Sequence, residues 1–291
     1  MPTVHTVSGA SNAGDEVRAD PTPGVLELEH GFRVIDANAR LPARPDAAER
    51  LERELRHAGI VRAVVAPPSR PDAVDGTAGE ATYLADNNGV ARLSVERPFV
   101  PFARLSGPRD PRGTPTARLR NLGATPGPGD TSPVDVRQYA VDDRFAGFVL
   151  APTVDGLPDE ETLATLAETG APVVVRAGDG FPPDAVAGTT LDRGITTVLA
   201  GFGGYPLQRP LMERAIDLLS EYADCYLDTS FVRFRGPMER ALREHPDRVL
   251  FGSGALDTHP NVAVMEVLTL DVTEDAMRRA FANNIERALG V

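Results

Sequence analysis

Lysine is absent from this chain of 291 residues, so its 30 basic residues are all arginines. They face 42 aspartates and glutamates, which gives a formal net charge of −12. Such an acidic balance argues against nucleic-acid binding, which needs a basic face. An acidic composition without lysine is typical of proteins from salt-loving microbes. Their dense surface carboxylates hold a hydration layer in concentrated salt, which screens the repulsion between the carboxylates. A GC-rich genome that replaces lysine codons by arginine codons explains the same composition, and the two explanations are compatible.

Cysteine and long apolar runs are also scarce. The single cysteine, Cys225, excludes an internal disulfide and a cysteine-rich metal cluster, and a packing role is expected for it. No apolar run is long enough for a transmembrane helix. Residues 1–30 lack the apolar core of a signal peptide. We therefore expect a cytoplasmic protein with no membrane partner, in which 1–30 is a flexible leader and 26–29 a candidate short strand.

From residue 31 to 291, strand patterns alternate with helix patterns. Strands are expected at 32–35, 60–66, 99–105, 145–150, 172–175, 195–200, 225–228 and 248–252. Helices are expected at 46–58, 79–88, 159–169, 210–222, 237–245, 261–268 and 273–289. Eight strands, most of them followed by a helix, predict a single-domain α/β protein with a (β/α)8 TIM barrel. The rival, an open doubly wound sheet, usually has a glycine-rich phosphate turn after strand one, and 34–41 has none.

Residues 106–135 interrupt this rhythm. Eleven of these thirty residues are glycine or proline, which excludes a long regular element. We interpret the segment as a surface insertion within the barrel domain, and a loop that closes over a binding site is the alternative.

In TIM barrels the chemistry lies where strands run into the following loops. Here those residues resemble the amidohydrolase-related metal-dependent hydrolases and decarboxylases, a TIM-barrel family, over about residues 33–291. The runs that carry the resemblance are Asp36-Ala37-Asn38-Ala39-Arg40, Arg176-Ala177-Gly178, Gly201-Phe202-Gly203-Gly204, Leu227-Asp228-Thr229-Ser230, Phe251-Gly252-Ser253-Gly254 and the closing stretch 284–291. The resemblance implies a hydrolytic or decarboxylating barrel that uses zinc or another divalent metal.

The metal ligands of that family would fall on Asn38, Arg40, Arg176, Gly201 and Gly254. None of these is a histidine or a carboxylate, which divalent metals need, and arginine offers only hydrogen-bond donors. The acidic residue that would activate a metal-bound water is missing as well. We therefore predict no metal and no other cofactor, in a barrel that has lost its hydrolytic chemistry, that is, a pseudoenzyme.

Two arginines in place of ligands suggest a different site. Arg40 and Arg176 at the barrel mouth would repel each other unless an anion lay between them, and arginine binds carboxylate or phosphate through two hydrogen bonds. We expect an anion pocket with these two as the clamp and Asn38 as a hydrogen-bonding partner, with room left by Gly201 and Gly254. The alternative is internal neutralisation: Arg40 by Asp36, and Arg176 by Asp179 or Asp228.

A relocated metal site is a further alternative. Of the five histidines, His259 is expected on the mouth side, close to Asp257. With Asp36, Asp179 or Asp228 they would form a weak, oxygen-rich site. The competing interpretation makes Asp257 and His259 a solvated loop with a helix N-cap, and Asp228 a structural hydrogen bonder.

Three functions follow from these patterns. The first is a metal-free, non-hydrolytic barrel that binds a small anionic ligand or serves as a partner subunit. The second is a hydrolase or decarboxylase of a small carboxylic acid, without a metal or with a relocated one. The third is a structural role in a homo-oligomer, with Phe231 and Phe234 at an interface. A Ser-His triad is not expected, because Ser230 and Ser253 have no adjacent histidine.

Overall fold

The computed structural model describes residues 27–69 and 83–291. Its centre is a parallel sheet of eight strands in sequential order. The strands are β1 (Val34–Arg40), β2 (Ile60–Ala66), β3 (Phe99–Leu105), β4 (Gly147–Leu150), β5 (Val173–Gly178), β6 (Thr197–Tyr205), β7 (Cys225–Asp228) and β8 (Val249–Leu250). This is the TIM barrel that the strand–helix rhythm predicts.

Backbone hydrogen bonds join the two edges of the sheet. The Ala37 amide donates to the Phe251 carbonyl at 2.8 Å, and the Arg40 amide donates to the Ala255 carbonyl at 2.8 Å. The Gly254 amide donates in return to the Asn38 carbonyl at 3.0 Å. The second half of β1 is thus held against the segment that follows β8, which brings the residues after these strands to one end of the barrel.

The helices surround the strands. They are α1 (Pro45–His57), α2 (Leu84–Ser94), α3 (Pro115–Asn121), α4 (Pro133–Val141), α5 (Pro152–Asp155), α6 (Glu160–Thr169), α7 (Pro183–Thr189), α8 (Arg209–Glu221), α9 (Arg235–Glu244), α10 (Pro260–Leu268), α11 (Glu274–Arg278) and α12 (Asn284–Leu289), with a 3₁₀ turn at Leu191–Arg193 and a π-helical turn at Arg279–Asn283. No helix within the described ranges is long and apolar enough to cross a membrane.

The amphipathic helices follow from apolar spacing and capping. In α1, Ala48, Leu51 and Leu55 are buried on one stripe, as residues three and four apart on a helix must be. In α6, the Asp159 carboxylate caps the first turn by accepting from the Thr162 amide at 2.8 Å. Gly170 ends that helix with a φ of +66°, which glycine adopts without strain.

The amino-terminal end of the barrel is closed by aromatic packing. Phe281 packs against Phe32 and Phe251, with ring centroids 5.4 and 5.3 Å apart. His30 stacks on Phe281, and its Nε2 lies 3.0 Å from the Ala58 carbonyl. His30 therefore belongs to the floor of the barrel.

Several elements differ from the sequence-based expectation. The second helix is expected at 79–88 and is observed as α2. Part of the expected range lies outside the described residues, and so does the leader up to residue 26. The inward face of α2 carries the buried Asn87, whose side-chain amide donates to the Arg104 carbonyl and accepts from the Arg104 amide, so apolar periodicity does not reveal this helix. Residues 27–29 form no strand, because the Leu28 amide bonds the carbonyl of His57 at the end of α1. The single helix expected at 273–289 is divided by the π-helical turn.

The 106–135 insertion contains α3 and the start of α4. Thr114 caps α3 by accepting from the Ala117 amide at 3.1 Å, and Ser132 and Asp135 form a capping box on α4. Arg109 and Leu157 exchange backbone hydrogen bonds of 3.1 and 2.8 Å, so the insertion is paired with the segment after α5. Its glycines and prolines do limit regular structure to short helices, but the composition gave no indication of this pairing.

Candidate anion-binding site at the barrel mouth

A cavity lies at the carboxyl ends of the strands. Arginines from three alternate strands line it: Arg40 on β1, Arg104 on β3 and Arg176 on β5. Inward side chains of alternate strands form one layer in a TIM barrel, so these strand positions bring the three guanidinium groups together. Within the part of the chain that the structure describes, the remaining lining consists of Asn38, Tyr205, Phe231 and the small aliphatic residues Ala37, Ala39, Val64, Ala66, Val149, Ala151, Val174 and Ala200.

The cavity is small. Its volume, counted as space for the centres of water-sized molecules, is about 40 Å³. That is room for about three waters, since one water needs about 10–15 Å³ on this measure. A carboxylate group fits this space, and the body of a larger ligand would extend towards solvent.

Arg104 is fully committed to other protein groups. It is 3% exposed. Its Nε donates to Asp155 Oδ2 at 2.8 Å, and its Nη1 donates to the Pro67 carbonyl at 3.1 Å. The Tyr83 hydroxyl donates to the other oxygen of Asp155 at 2.6 Å. The charge of Arg104 is therefore neutralised by a buried carboxylate on α5.

Arg40 has a partner that is much more exposed. Its Nη1 donates to Asp257 Oδ2 at 2.5 Å, and the side-chain exposures are 15% for Arg40 and 47% for Asp257. Its guanidinium carbon lies 5.3 Å from the centroid of the Phe231 ring. Burial lowers the pKa of Arg40; the charges of Arg176 and Arg104 also lower it, and Asp257 opposes them. The neutralising pair between Arg40 and Asp36 that the sequence analysis considered does not form, because Arg40 pairs with Asp257.

Arg176 has no carboxylate partner among the described residues. Neither Asp179 nor Asp228 pairs with it, contrary to the neutralisation alternative. Its guanidinium carbon lies 3.9 Å from the centroid of the Tyr205 ring, so one face of the group is stacked. Stacking uses the face of the planar guanidinium and leaves its N–H edge in the plane free, which is the edge that binds a carboxylate.

Asn38 belongs to a buried network beneath the arginines. Its Nδ2 donates to Asp228 Oδ2 at 2.9 Å and to Ser230 Oγ at 3.1 Å. Its backbone amide donates to Asp36 Oδ1 at 2.9 Å. Asn38 therefore lines the cavity, but its amide N–H groups already have acceptors. An anion would have to displace them to gain the hydrogen bond that we expected.

The two aspartates of this network are completely buried. Asp36 accepts from the backbone amide and the hydroxyl of Ser253. Burial raises the pKa of Asp36 from 3.8 to about 6, although these hydrogen bonds lower it. Asp228 accepts from the Gly201 amide at 3.0 Å and from Ser230, and burial raises its pKa as well. Both carboxylates hold the loops after β6, β7 and β8 in place, which is the structural role considered for Asp228.

These residues do not fit a divalent metal ion. No three histidine, cysteine, aspartate or glutamate side chains converge within 27–69 and 83–291. His259 accepts from the Asn261 amide at 3.2 Å through Nδ1, so it serves as the N-cap of α10. Asp257 is held by Arg40, and Asp36 and Asp228 are occupied as described. The relocated metal site is therefore not assembled.

The expected role of two glycines is wrong. Gly201 and Gly254 do not line the cavity. A Cβ at Gly254 would lie 2.7 Å from Cζ of Phe231, so the ring of Phe231 fills the space beside this glycine. Both glycines have positive φ angles, +62° and +64°, which glycine adopts without strain. Phe231 is thus a wall of the cavity, and Phe234 is half-buried against the core.

Sequence reasoning missed three residues of this site: Arg104, Tyr205 and Phe231. A signal existed for Arg104, since it is a charged residue one position before the end of an otherwise apolar strand. Tyr205 lies at the end of β6, five residues beyond the predicted strand end, and Phe231 lies in a loop. Neither has a local pattern that points to the cavity.

Cys225 is buried at the start of β7, and burial raises the pKa of its thiol to about 12. A thiol that stays protonated is a poor nucleophile, which agrees with the packing role.

No protein-family model and no curated protein sequence matches this chain. Solved structures do match its fold. An uncharacterised TIM-barrel protein from Bordetella bronchiseptica shares 19% identity at a TM-score of 0.60, over 89% of this chain and 99% of that one. The 5-carboxyvanillate decarboxylase from Sphingomonas paucimobilis shares 14% identity at a TM-score of 0.61, over 89% and 99%. A dihydroxybenzoic acid decarboxylase from Polaromonas, bound to manganese and 2-nitroresorcinol, shares 14% at 0.54, over 89% and 97%.

Two of these three neighbours are named decarboxylases, and the TIM-barrel fold implied by the sequence resemblance is confirmed. At these identities the similarity concerns the fold alone.

Proposed function

We propose that this protein binds a small organic anion at the barrel mouth, with its carboxylate on the free edge of Arg176. The supporting observation is a guanidinium that lines a concave cavity beside two further arginines and has no acidic partner among the described residues. An unpaired charge in a partly dry site is costly, and an anion between the arginines relieves that cost.

The lining indicates the kind of anion. Small aliphatic residues and two aromatic rings surround the arginines, so an apolar body can follow the carboxylate. The volume of about 40 Å³ admits the charged group, and the apolar body extends from there towards solvent. We therefore expect short aliphatic or aromatic monocarboxylates to bind better than inorganic phosphate, which has no apolar part.

The proposed role is binding without hydrolysis. The donors at the mouth suit an anion and not a divalent metal. A barrel that holds an anion in this way would be a receptor or a partner subunit, and we expect it to form a homo-oligomer, which light scattering in solution would test.

Calorimetric titration with propionate, benzoate and phosphate tests the proposal. Arg176→Met should weaken carboxylate binding by about tenfold or more, because a charge-assisted pair is lost. Arg248→Met is the matched control. The Arg248 guanidinium carbon lies 5.3 Å from the centroid of the Tyr226 ring, and neither residue lines the cavity. Equal losses in both variants, or no binding of any carboxylate to the unaltered protein, would contradict the proposal.

Decarboxylation of a small carboxylic acid is the second candidate. It is favoured by the neighbours, whose names describe decarboxylases of 5-carboxyvanillate and of dihydroxybenzoates. Release of CO2 from 2,6-dihydroxybenzoate, measured with and without added manganese, separates the candidates. Turnover that is lost in Arg176→Met would replace the binding role by this one.

A further inference from the structure

We infer that Asp257 occupies a second anion subsite on Arg40 and so restricts the pocket to singly charged ligands. The inference deepens the proposed function and rests on it. It assigns to Asp257 the part of a built-in competitor: its carboxylate sits where a second carboxylate of a ligand would bind.

The three arginines of the cavity differ in what holds them. Arg104 is bound to a carboxylate that is completely buried, with side-chain exposures of 4% and 0% for the pair. Arg40 is bound to Asp257, and 47% of the Asp257 side chain is exposed. Arg176 has no acid partner in the described part of the chain. Counting only the described residues, the cavity thus offers one cation without an acidic partner and one cation whose partner lies at the solvent side.

The Arg40–Asp257 pair is the replaceable one. Among residues 27–69 and 83–291, the Asp257 side chain bonds only to Arg40, and water can solvate it as soon as it swings away. Arg40 is largely buried and stays paired when a ligand carboxylate takes the place of Asp257, while the displaced Asp257 carboxylate passes into water, so the two can compete for the same N–H groups. Displacing Asp155 from Arg104 would instead leave a buried charge unpaired.

The loop after β8 holds Asp257 in this place. The backbone amide of Asp257 donates to the Gly254 carbonyl at 3.2 Å. The preceding residue, Leu256, has a φ of +89°, which residues with a Cβ rarely adopt. Such a conformation costs free energy and persists only when its surroundings impose it.

A monocarboxylate therefore binds Arg176 and leaves the Arg40–Asp257 pair intact. A dicarboxylate of suitable length must either leave its second carboxylate in solvent or displace Asp257. Without Asp257, the same dicarboxylate would bridge both arginines. Asp257 is on this account a specificity-determining residue that selects against dianions.

Malonate and its monomethyl ester are the probes, because they have nearly the same size and differ in one charge. Calorimetry would measure both with the unaltered protein and with Asp257→Asn. We expect the gain in malonate affinity from this substitution to exceed the gain for the half-ester by about tenfold, the effect of one charge-assisted pair.

A long-range effect of removing one negative charge is separated by two controls. Asp271→Asn removes an exposed carboxylate that pairs with Arg243 at 3.2 Å and should leave the malonate preference unchanged. In an Arg40→Met background, Asp257→Asn should change malonate affinity less than about twofold, because the competition runs through Arg40. An undiminished gain in that background would overturn the inference.

The outcomes also separate this inference from the proposed function. If the half-ester binds through Arg176 and Asp257→Asn favours both probes equally, the pocket exists and the competitor role of Asp257 is wrong. If neither probe binds any variant while circular dichroism shows folded protein, the anion site itself is refuted and this inference with it.

Discussion

At the residue scale, the mouth is organised by alternating cations and rings. Arg176 stacks on Tyr205, and Tyr205 meets Phe231 edge to face at 5.7 Å between centroids. Phe231 in turn lies under Arg40. The ring of Tyr205 occupies one face of Arg176, so the hydrogen-bonding edge of Arg176 keeps a defined direction without a carboxylate partner among the described residues, whereas the edge of Arg40 is taken by Asp257.

Replacing the ring under Arg176 should therefore weaken binding. Tyr205→Leu is expected to reduce benzoate affinity about fivefold, the value of a partly buried cation–π contact, whereas Tyr205→Phe should retain it. Calorimetry measures both. Tyr226→Leu removes the equivalent ring under Arg248 and should have no effect; a matching loss there would mean that the rings only stabilise the fold.

Asp36 should make stability depend on pH in an unusual direction. Its pKa is raised from 3.8 to about 6 in the folded protein, so between these values the native state binds more protons than the unfolded chain. The contribution of Asp36 to stability is therefore largest below about pH 4 and declines as the pH rises through about 6, by up to about 1.4 kcal/mol per pH unit.

Urea unfolding of the protein and of Asp36→Asn across this range isolates that contribution, since the amide keeps the size and an acceptor for Ser253. The stability of the unaltered protein relative to the variant should fall from pH 4 to 6. A constant difference would show that the carboxyl has its ordinary pKa.

At the element scale, β1 shows how a strand can carry both core and site. Along it, Asp36, Asn38 and Arg40 alternate with the buried Ala37 and Ala39. The pairing of β1 with β2 is irregular between Asp36 and Ala39, so Ala37 and Ala39 line the cavity together with Asn38 and Arg40. The apolar pattern ends at residue 35, which is why the predicted strand stops there and the observed one continues to Arg40.

The pairing of the insertion with the segment after α5 should be essential for stability. A Cβ at Gly156 would lie 1.9 Å from the Gly107 carbonyl oxygen, and its φ is +72°. Gly156→Ala should destabilise the fold by about 3 kcal/mol or more, through backbone strain and a clash with main chain. Because Asp155 precedes this glycine and holds Arg104, carboxylate binding should weaken as well.

Gly170→Ala provides the control for this prediction. Gly170 has a similar φ of +66°, but a Cβ there would meet no atom within 4 Å. Its cost should be limited to the left-handed backbone, about 1 kcal/mol. Equal costs at the two positions, measured by urea unfolding, would show that the contact between insertion and barrel contributes nothing.

At the scale of the whole molecule, charge dominates. With a net charge of −12, the surface carboxylates repel one another at low ionic strength. Salt screens this repulsion, and the Debye length falls to about 3 Å at ~1 M. Adaptation to high salt predicts that the melting temperature rises by several degrees between low salt and ~1 M KCl. Arginine usage that only reflects a GC-rich genome predicts a nearly flat response, because screening also weakens the many surface ion pairs. Calorimetric scans in both salts decide between the two.

The sequence by itself determined the succession of strands and helices, and with it the barrel. Apolar periodicity is local, so it locates β7 at Cys225–Asp228 without knowledge of any partner. The carboxyl ends of all strands in a parallel barrel meet at one end of the barrel, independently of the loop conformations. Arg40 and Arg176 could therefore be expected in one site.

Only the tertiary structure decided which of these charges is neutralised. Arg40 pairs with an aspartate 217 positions away in a loop, and Arg104 is held by α5, which follows the next strand. The ring of Phe231 fills the space beside Gly254, where sequence reasoning had left room for an anion. Such contacts depend on where loops place side chains in space, and loop geometry is set by the packing of the whole barrel and has no local period in the sequence.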